Sequence, residues 1–273
     1  MLYKISTWVR TRGLPWTLLY ICRQFLLRYP LTSLEKRLSR IEQSRHITGE
    51  HSLSSSTHTL EMNKQIWNSY DWGDRGEEWT YDAKKYSNLD PLQWKNKLLN
   101  NVLRKYIAPG STVLEIGPGG GRWTQELLPL SQRLIIVDIS EKVLEICRER
   151  FRDATTLDYH LIDEICMDFI PDNSINAIWS YDVFVHINTS DTENYIREFQ
   201  RILKPGGYAL IHHSGTYTTY DEEWLRKSAF RSYVDGALFK YFIEKNNLTL
   251  LEQSGSFVHL PGDLISIFTK SPI

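Results

Sequence analysis

The hydrophobic and polar positions beyond residue 100 alternate between short apolar runs and longer stretches with apolar residues at helical spacing. The apolar runs lie at 113–116, 133–138, 157–162, 175–180, 208–212, 248–252 and 263–270. Helical spacing fills the intervals between several of them, at 141–151, 192–203 and 222–246. Short buried runs that alternate with helical stretches are typical of a parallel sheet covered by helices. We therefore predict an α/β fold for this part of the chain.

A glycine-dense turn follows the first of these strands. Val113 to Ile116 are apolar apart from Glu115, and glycines stand at 117, 119, 120 and 121 before helical spacing begins at Arg122. A strand, a glycine turn and a helix form the crevice where open α/β sheets bind nucleotide-like ligands. Glycine suits this turn because it allows positive φ and close approach of the backbone to a ligand. The dinucleotide pattern G-x-G-x-x-G would require its last glycine at position 122, which is Arg122.

The turn and a second motif resemble one enzyme family. Glu-x-Gly-x-Gly-x-Gly at 115–121 resembles the first motif of the class I S-adenosylmethionine (SAM) dependent methyltransferases, and Leu-Lys-Pro-Gly-Gly at 203–207 is similar to the turn before their fifth strand. A closer resemblance is to bacterial methyltransferases associated with glycan and lipopolysaccharide biosynthesis. It is carried by Gly-Arg-Trp-Thr at 121–124, Phe-Val-His at 184–186 and His-His-Ser at 212–214.

The resemblance implies a fold, a cofactor and a reaction. It implies a Rossmann-like, seven-stranded, mostly parallel sheet flanked by helices over residues 61–273, with the last two strands antiparallel. The aromatic-rich segment 61–110 is expected to form a helical cap over the site, and Asp90-Pro91 predicts the beginning of one of its helices. SAM is the implied cofactor, without a metal. The implied reaction is O-methylation of a sugar, a glycan or another small polar acceptor.

Asp138 is the main candidate for binding the nucleoside part of the cofactor. It ends the second strand, 21 residues beyond Gly117, and a carboxylate there can accept hydrogen bonds from both ribose hydroxyls. The alternative for such an aspartate is a helix N-cap. The resemblance further implies an acid after the third strand for the adenine amino group, either Asp163 or Glu164. The predicted cofactor residues are Glu115, Gly117, Pro118, Gly119, Gly121, Asp138, Ile139, Asp163, Glu164, Ser180 and Tyr181.

A hydroxyl acceptor must lose a proton as it attacks the methyl group, and histidine is the usual side chain for that task near neutral pH. His186 follows the fourth strand and His213 lies at the end of the fifth, so both are candidate bases. The alternative for His186 is a packed or capping histidine before the helix at Thr192. We expect His212 to point into the sheet. No cluster of His, Cys and carboxylates has the spacing of a metal site, so no metal ion is expected.

Two other functions remain open. An N-methyltransferase acting on an amine or a peptide natural product would need no strong base, because a neutral amine attacks without one. A non-catalytic subunit with a SAM-binding fold could instead recruit a partner to a membrane. An intact glycine motif favours an enzyme over that subunit.

Composition limits the partners and the compartment. The formal net charge of −1 gives no reason to expect nucleic-acid binding. Three cysteines, Cys22, Cys147 and Cys166, are odd in number and far apart, which suits a reducing compartment. We therefore expect a cytoplasmic protein with a small-molecule or glycan acceptor.

Residues 1–48 differ in character and are predicted to form a basic, amphipathic helical arm. Residues 1–30 contain five basic residues and no acidic one, interleaved with tryptophan and leucine. Such a segment can lie on the inner face of a membrane as a peripheral contact, or pack on its own domain or a second subunit. Apolar residues at heptad-like spacing within 31–45 could pair two chains as a homo-oligomer. The serine-rich stretch 49–60 is predicted to be a flexible linker.

Overall fold

The computed structural model describes residues 59–73, 75–215, 232 and 234–272, all of which belong to the compact unit Ser55–Ile273. Its strands are β1 (Ser111–Ile116), β2 (Ser131–Asp138), β3 (Leu157–Leu161), β4 (Ile175–Ser180), β5 (Leu203–Ser214), β6 (Leu248–Ser254) and β7 (Asp263–Lys270). Its α-helices of four or more residues are α1 (Leu60–Ser69), α2 (Glu78–Ser87), α3 (Pro91–Leu98), α4 (Thr124–Leu127), α5 (Glu141–Arg150), α6 (Thr189–Ile202) and α7 (Gly236–Lys245). The predicted arm, 1–48, and its membrane and oligomer contacts lie outside the described residues.

The seven strands form one sheet in the order β3-β2-β1-β4-β5-β7-β6. β1 to β5 pair in parallel, and β7 pairs antiparallel with both β5 and β6. The predicted seven-stranded, mostly parallel sheet with flanking helices is confirmed. The strand order reverses between β1 and β4, and ligands bind at such a point, beyond the carboxyl ends of the strands.

Apolar side chains pack on both faces of the sheet. One face buries side chains of β1, β4 and β5 against α6 and α7, among them Leu114, Ile178, Ile211, Phe199 and Phe239. The other face is covered by α3 and by the segment after the glycine turn, with Trp94, Leu98, Trp123, Ile136 and Trp179 among its buried residues. A parallel sheet needs such cover on both faces, which explains why its strands read as continuous apolar runs.

Most predicted bounds agree with the structure, and the exceptions have local causes. β4 and β7 begin and end at the predicted residues, and Asp90 caps α3 with Pro91 in its first turn. α6 begins at Thr189, three residues before the predicted bound, because the Asn188 side chain accepts a hydrogen bond from the Asp191 amide.

Two further bounds differ in the glycine-containing regions. The helix expected from Arg122 is shorter: α4 ends at Leu127, and a 3₁₀ turn containing Pro129 leads into β2. The predicted turn at 204–207 is a bulge within β5, because the pairing with β4 shifts between Leu203 and Tyr208. Of the predicted helical stretch 222–246, the structure describes residue 232 and residues from 234 onward. Within the described part of the chain, no helix is long and apolar enough to span a bilayer.

Candidate active site

The glycine turn after β1 is a tight loop that only glycine accommodates readily. Gly117, Gly119 and Gly121 have φ angles of 68°, 55° and 87°, in the left-handed region that costs other residues roughly 1–2 kcal/mol. The amide of Gly117 donates to the carbonyl of Val137 at 2.9 Å, which ties the loop to the end of β2. A Cβ at Gly121 would meet the Phe151 ring at 2.5 Å, so this glycine lets the loop pack closely on the segment after α5.

Glu115 supports this loop from the interior. It is 1% exposed, and its Oε2 accepts a hydrogen bond from Thr124 Oγ1 at 2.7 Å, at the start of α4. Burial raises the pKa of Glu115 to about 8. The residue therefore braces the loop, and it lies outside the cavity wall described next.

A cavity of about 1160 Å³, including its open mouth, lies beyond the carboxyl ends of β1, β2 and β4. Its walls include the predicted residues Gly117, Pro118, Gly119, Asp138, Ile139, Tyr181 and His186. Trp67 of α1 and Trp72 add aromatic walls from the segment expected to cover the site.

Asp138 faces this cavity and also orders the loop that follows it. The residue is 8% exposed, and its Oδ1 accepts from the Ser140 amide at 2.8 Å. The Ser140 side chain in turn caps α5 by accepting from the amide of Val143. Burial raises the pKa of Asp138 to about 7. The carboxyl thus has a local partner while lying where a bound ribose could reach it.

Several predicted residues lie elsewhere. Asp163 and Glu164 are exposed, and Asp163 pairs with Lys64 of α1, while the neighbouring Ile165 lines the cavity. Ser180 is buried and donates to the carbonyl of Ile116 at 3.0 Å, which joins β4 to β1. The adenine contact predicted for Asp163 or Glu164 therefore lacks support from their placement.

His186 lies on the cavity wall, in a 3₁₀ turn at Phe184–His186. Its ring packs edge-on against Trp67, with centroids 5.1 Å apart. Its carbonyl accepts from Asn63 Nδ2 at 2.9 Å, so α1 is joined directly to this turn. The structure therefore brings His186 to the same cavity as Asp138 and the glycine loop.

His213 points away from the cavity, the reverse of the orientation we expected for the His212–His213 pair. Its ring stacks on Phe239 at 3.8 Å, and its Nε2 is 2.7 Å from Ser266 Oγ. Burial lowers the pKa of His213 to about 3. Because neighbouring residues of a strand point to opposite faces, His212 is the one that turns toward the cavity side. The structure does not place His213 where a base would meet an acceptor.

A buried polar cluster at the cavity edge was not predicted from the sequence. His212 stacks on Tyr181 at 4.1 Å, and Tyr181 Oη is hydrogen-bonded to His259 Nδ1 at 3.1 Å. Asp182 receives a charge-assisted bond from Arg122 Nη2 at 2.7 Å. Tyr181, Asp182, Arg122 and His259 all line the cavity.

The charges of this cluster influence one another strongly. Burial alone would raise the pKa of Asp182, but His259, His212 and Arg122 outweigh it and hold the pKa below its usual range. Arg122 is 4% exposed, and its Nη1 has no hydrogen-bond partner among the described residues. Asp182 also has a φ of 63°, a conformation that is rare outside glycine and is often found at functional sites.

Part of the chain matches a known protein family. Residues 113–207 match the family described as "Methyltransferase domain". Phosphoethanolamine N-methyltransferase 1 of Triticum aestivum is 27% identical over 173 residues, covering 60% of this chain and 33% of that protein. Methyltransferase GfsG of Streptomyces halstedii is 27% identical over 179 residues, covering 61% of this chain and 63% of that protein.

A solved structure shows the same fold. The geranyl diphosphate C-methyltransferase of Streptomyces coelicolor, in complex with Mg²⁺, geranyl diphosphate and S-adenosyl-L-homocysteine, has a TM-score of 0.57 at 13% identity. The match covers 77% of this chain and 98% of that one.

The match to the methyltransferase family covers residues 113–207, and the described part of the chain has the class I fold. The chain spans about a third of the Triticum aestivum protein and less than two thirds of GfsG. The comparisons therefore support a methyltransferase without indicating one acceptor.

Gly119→Ala is expected to weaken cofactor binding while leaving the domain folded. A Cβ at this position would meet the Trp72 ring at 2.8 Å and would displace it at the cavity wall. Gly110→Ala is the matched control, because Gly110 also has positive φ but a Cβ there meets nothing within 4 Å. Each variant should lose about 1–2 kcal/mol of stability from backbone strain. Thermal melting and SAM titration of both variants check this, and equal SAM affinity in the two would contradict it.

Proposed function

We propose that this protein is a SAM-dependent methyltransferase that methylates a hydroxyl of a sugar, a glycan or another small polar acceptor. One observation carries the cofactor assignment: the glycine loop after β1 and Asp138 at the end of β2 both line a single cavity. When bound, SAM supplies a methyl group already activated on a sulfonium. Catalysis then depends largely on holding the acceptor in line with that methyl group.

Residues of the cavity wall can be assigned to separate parts of the cofactor. Glycine at 117 and 119 leaves the loop backbone free to approach the cofactor without side chains in between. We assign Asp138 to the ribose hydroxyls, and the apolar side chains of Ile139 and Ile165 to the two sides of the adenine. This leaves the part of the cavity near Tyr181, Asp182 and His259 for the acceptor.

We assign His186 as the base that accepts the proton of the acceptor hydroxyl. It lines the cavity and is held by its turn, by Asn63 and by the Trp67 ring. Bound SAM would supply the methyl group to the acceptor oxygen and leave as S-adenosylhomocysteine, and the imidazole of His186 would take up the hydroxyl proton. The polar acceptor end of the cavity supports a polyhydroxyl acceptor, and the motifs resembling glycan-associated methyltransferases support a glycan.

N-methylation is the second candidate, and specific observations favour it. Three of the relatives found are phosphoethanolamine N-methyltransferases. Trp67 and Trp72 line the cavity with centroids 5.9 Å apart, and aromatic faces attract an ammonium group. An amine acceptor in its neutral form would attack without help from His186.

The experiment that tests the proposal uses the full chain with SAM labelled in its methyl group. Panels of sugars, glycolipid precursors and amines are incubated with it, and labelled products are identified by mass spectrometry. A methylated hydroxyl supports the leading proposal, and a methylated amine selects the second. Binding of SAM without transfer to any acceptor in the panels would favour the non-catalytic subunit.

Binding of the cofactor's nucleoside is expected to depend on pH through Asp138. Because burial raises the pKa of this carboxyl to about 7 in the free protein, it is protonated below that pH and must lose the proton to accept from two hydroxyls. Affinity for 5′-methylthioadenosine, which has no group that titrates between pH 6 and 8, should therefore rise with pH up to about pH 8 and then level off.

Calorimetry in buffers of different ionisation enthalpy measures the linked proton. Close to one proton should be released per nucleoside bound at pH 6, and almost none at pH 8.5. Asp138→Asn provides the control, because its affinity should not vary over this range. A wild-type affinity that is independent of pH would contradict the assignment of Asp138 to the ribose.

A further inference from the structure

We propose that Asp182, His212 and His259 bind one divalent transition-metal ion at the edge of the cavity. One donor atom from each residue lies within 4.8 Å of the other two. Asp182 Oδ1 is 3.2 Å from His212 Nδ1 and 3.8 Å from His259 Nε2. Donor atoms bound to one ion at about 2.0–2.2 Å lie roughly 3 Å apart. The Asp182–His212 pair is already close to that spacing, whereas the largest donor separation, at most 4.8 Å, has to shorten by about 1–2 Å for the three side chains to share an ion.

Each proposed ligand has a second residue close to the atom that faces away from the ion. His212 Nε2 is 3.3 Å from Asp263 Oδ2, and His259 Nδ1 is hydrogen-bonded to Tyr181 Oη at 3.1 Å. The other carboxylate oxygen of Asp182 accepts from Arg122 at 2.7 Å. Metal-bound histidines and carboxylates usually have such outer partners, which fix the orientation of the ring and the tautomer.

Burial and charge also favour a cation. His212 and His259 are fully buried, while the Asp182 side chain is 19% exposed at the cavity wall. An ion could enter from the cavity and keep open positions that face it. The carboxylates of Asp182 and Asp263 both lie in this cluster, and their negative charge favours binding of a cation.

The donor set indicates which ions suit the site. Two imidazole nitrogens and one carboxylate oxygen suit Zn²⁺, Fe²⁺, Co²⁺ or Mn²⁺. Mg²⁺ and Ca²⁺ prefer ligand sets made of oxygen. The open positions would accept an oxygen of the acceptor. That role rests on the proposed function, whereas the metal site itself does not.

One contact competes with the ion. The amide of Asp182 donates to His212 Nδ1 at 3.1 Å, so a bound ion has to displace this hydrogen bond. The other possible occupant of the cluster is a proton shared between the imidazoles and Asp182. The absorption spectrum of Co²⁺ distinguishes these, because only direct coordination produces ligand-field bands.

The test uses the full chain without an affinity tag, stripped with a chelator and then loaded with Zn²⁺ or Co²⁺. After desalting, the wild type should retain about one equivalent of metal by mass spectrometry. Asp182→Asn and His259→Gln should each weaken binding at least tenfold, by loss of a ligand. His160→Gln is the control, because this histidine stacks on Phe169 outside the cluster and should leave binding unchanged.

Three further histidines, His46, His51 and His58, lie outside the described residues. Metal bound by those histidines would persist in Asp182→Asn and His259→Gln, so these variants show whether the proposed site is the one that binds it. Wild-type stoichiometry in both variants, or no retained metal in the wild type, would overturn the proposal. Titration with 5′-methylthioadenosine reports on the cofactor site separately, so loss of metal binding alone leaves the proposed function intact. If the variants do not fold, an anomalous difference peak in Zn²⁺-soaked wild-type crystals decides, and it should lie between Asp182, His212 and His259.

Discussion

Asp138→Ala is expected to lower the affinity for SAM and for its demethylated product about 10²- to 10⁴-fold. The substitution removes two charge-assisted hydrogen bonds to the ribose, each worth roughly 1.5–3 kcal/mol, and every 1.4 kcal/mol changes the affinity about tenfold. The measurement is calorimetric titration at pH 8.5, where the wild-type carboxyl is ionised because its pKa is raised only to about 7.

Asp158→Ala is the matched control for this variant. Asp158 lies on the neighbouring strand β3 and pairs with Arg133 at the surface, away from the cavity. Its variant should bind SAM as the wild type does. Unchanged affinity in Asp138→Ala would show that the carboxyl serves only to accept the Ser140 amide and does not bind the ribose.

His186→Ala is expected to lower kcat for a hydroxyl acceptor about 10²- to 10⁴-fold, the usual contribution of a general base. SAM affinity should be unchanged, because the residues assigned to the nucleoside lie on β2 and in the segment after β3. His160→Ala serves as the control, since its ring stacks on Phe169 outside the cavity. Single-turnover rates with saturating SAM separate the chemical step from binding.

The same variant distinguishes the two proposed acceptor classes. With an amine acceptor the rate should fall by less than about tenfold at a pH where the amine is neutral, because no proton has to be removed before attack. If His186→Ala also transfers the methyl group to a hydroxyl acceptor at a rate within about tenfold of the wild type, the assignment of His186 as the base is contradicted.

The sheet was largely predictable from the sequence because its strands lie buried between two layers. β4 and β7 consist of short apolar runs, and their bounds match the predicted ones. The glycine loop was predictable for a related reason: three positive φ angles within five residues require glycine, which is visible in the sequence itself. The position of Asp138 on the cavity wall was predictable because the residue ends a strand of the parallel sheet.

The orientation of the two histidines in β5 was not predictable. Neighbouring strand residues face opposite sides, so exchanging the faces of His212 and His213 requires a shift of only one residue in register. Pairing with β7 sets that register, with His212 opposite Ile265. The sequence alone carries no local signal for it, because both flanking residues, Ile211 and Ser214, are buried in the structure.

The polar cluster was hidden for a different reason. Its members come from the loops after β1 and β4, from β5 and from the segment before β7, and the longest separation is more than a hundred residues. Metal sites are recognised in sequences by short, regular spacing of ligands, and no such spacing exists here. The expectation of a site without metal rested on that spacing, whereas the proposal of a metal site rests on the three-dimensional arrangement.

A crystal structure of the full chain with S-adenosylhomocysteine would show whether this cavity is the cofactor site. We expect one molecule in the cavity, with both ribose hydroxyls within hydrogen-bond distance of the Asp138 carboxylate and its thioether sulfur near the backbone of Gly117–Gly119. The sulfur should face the side of the cavity that holds His186. A ligand bound elsewhere, or a cavity that stays empty at saturating concentration, would contradict the assignment of Asp138 and the glycine loop to the cofactor.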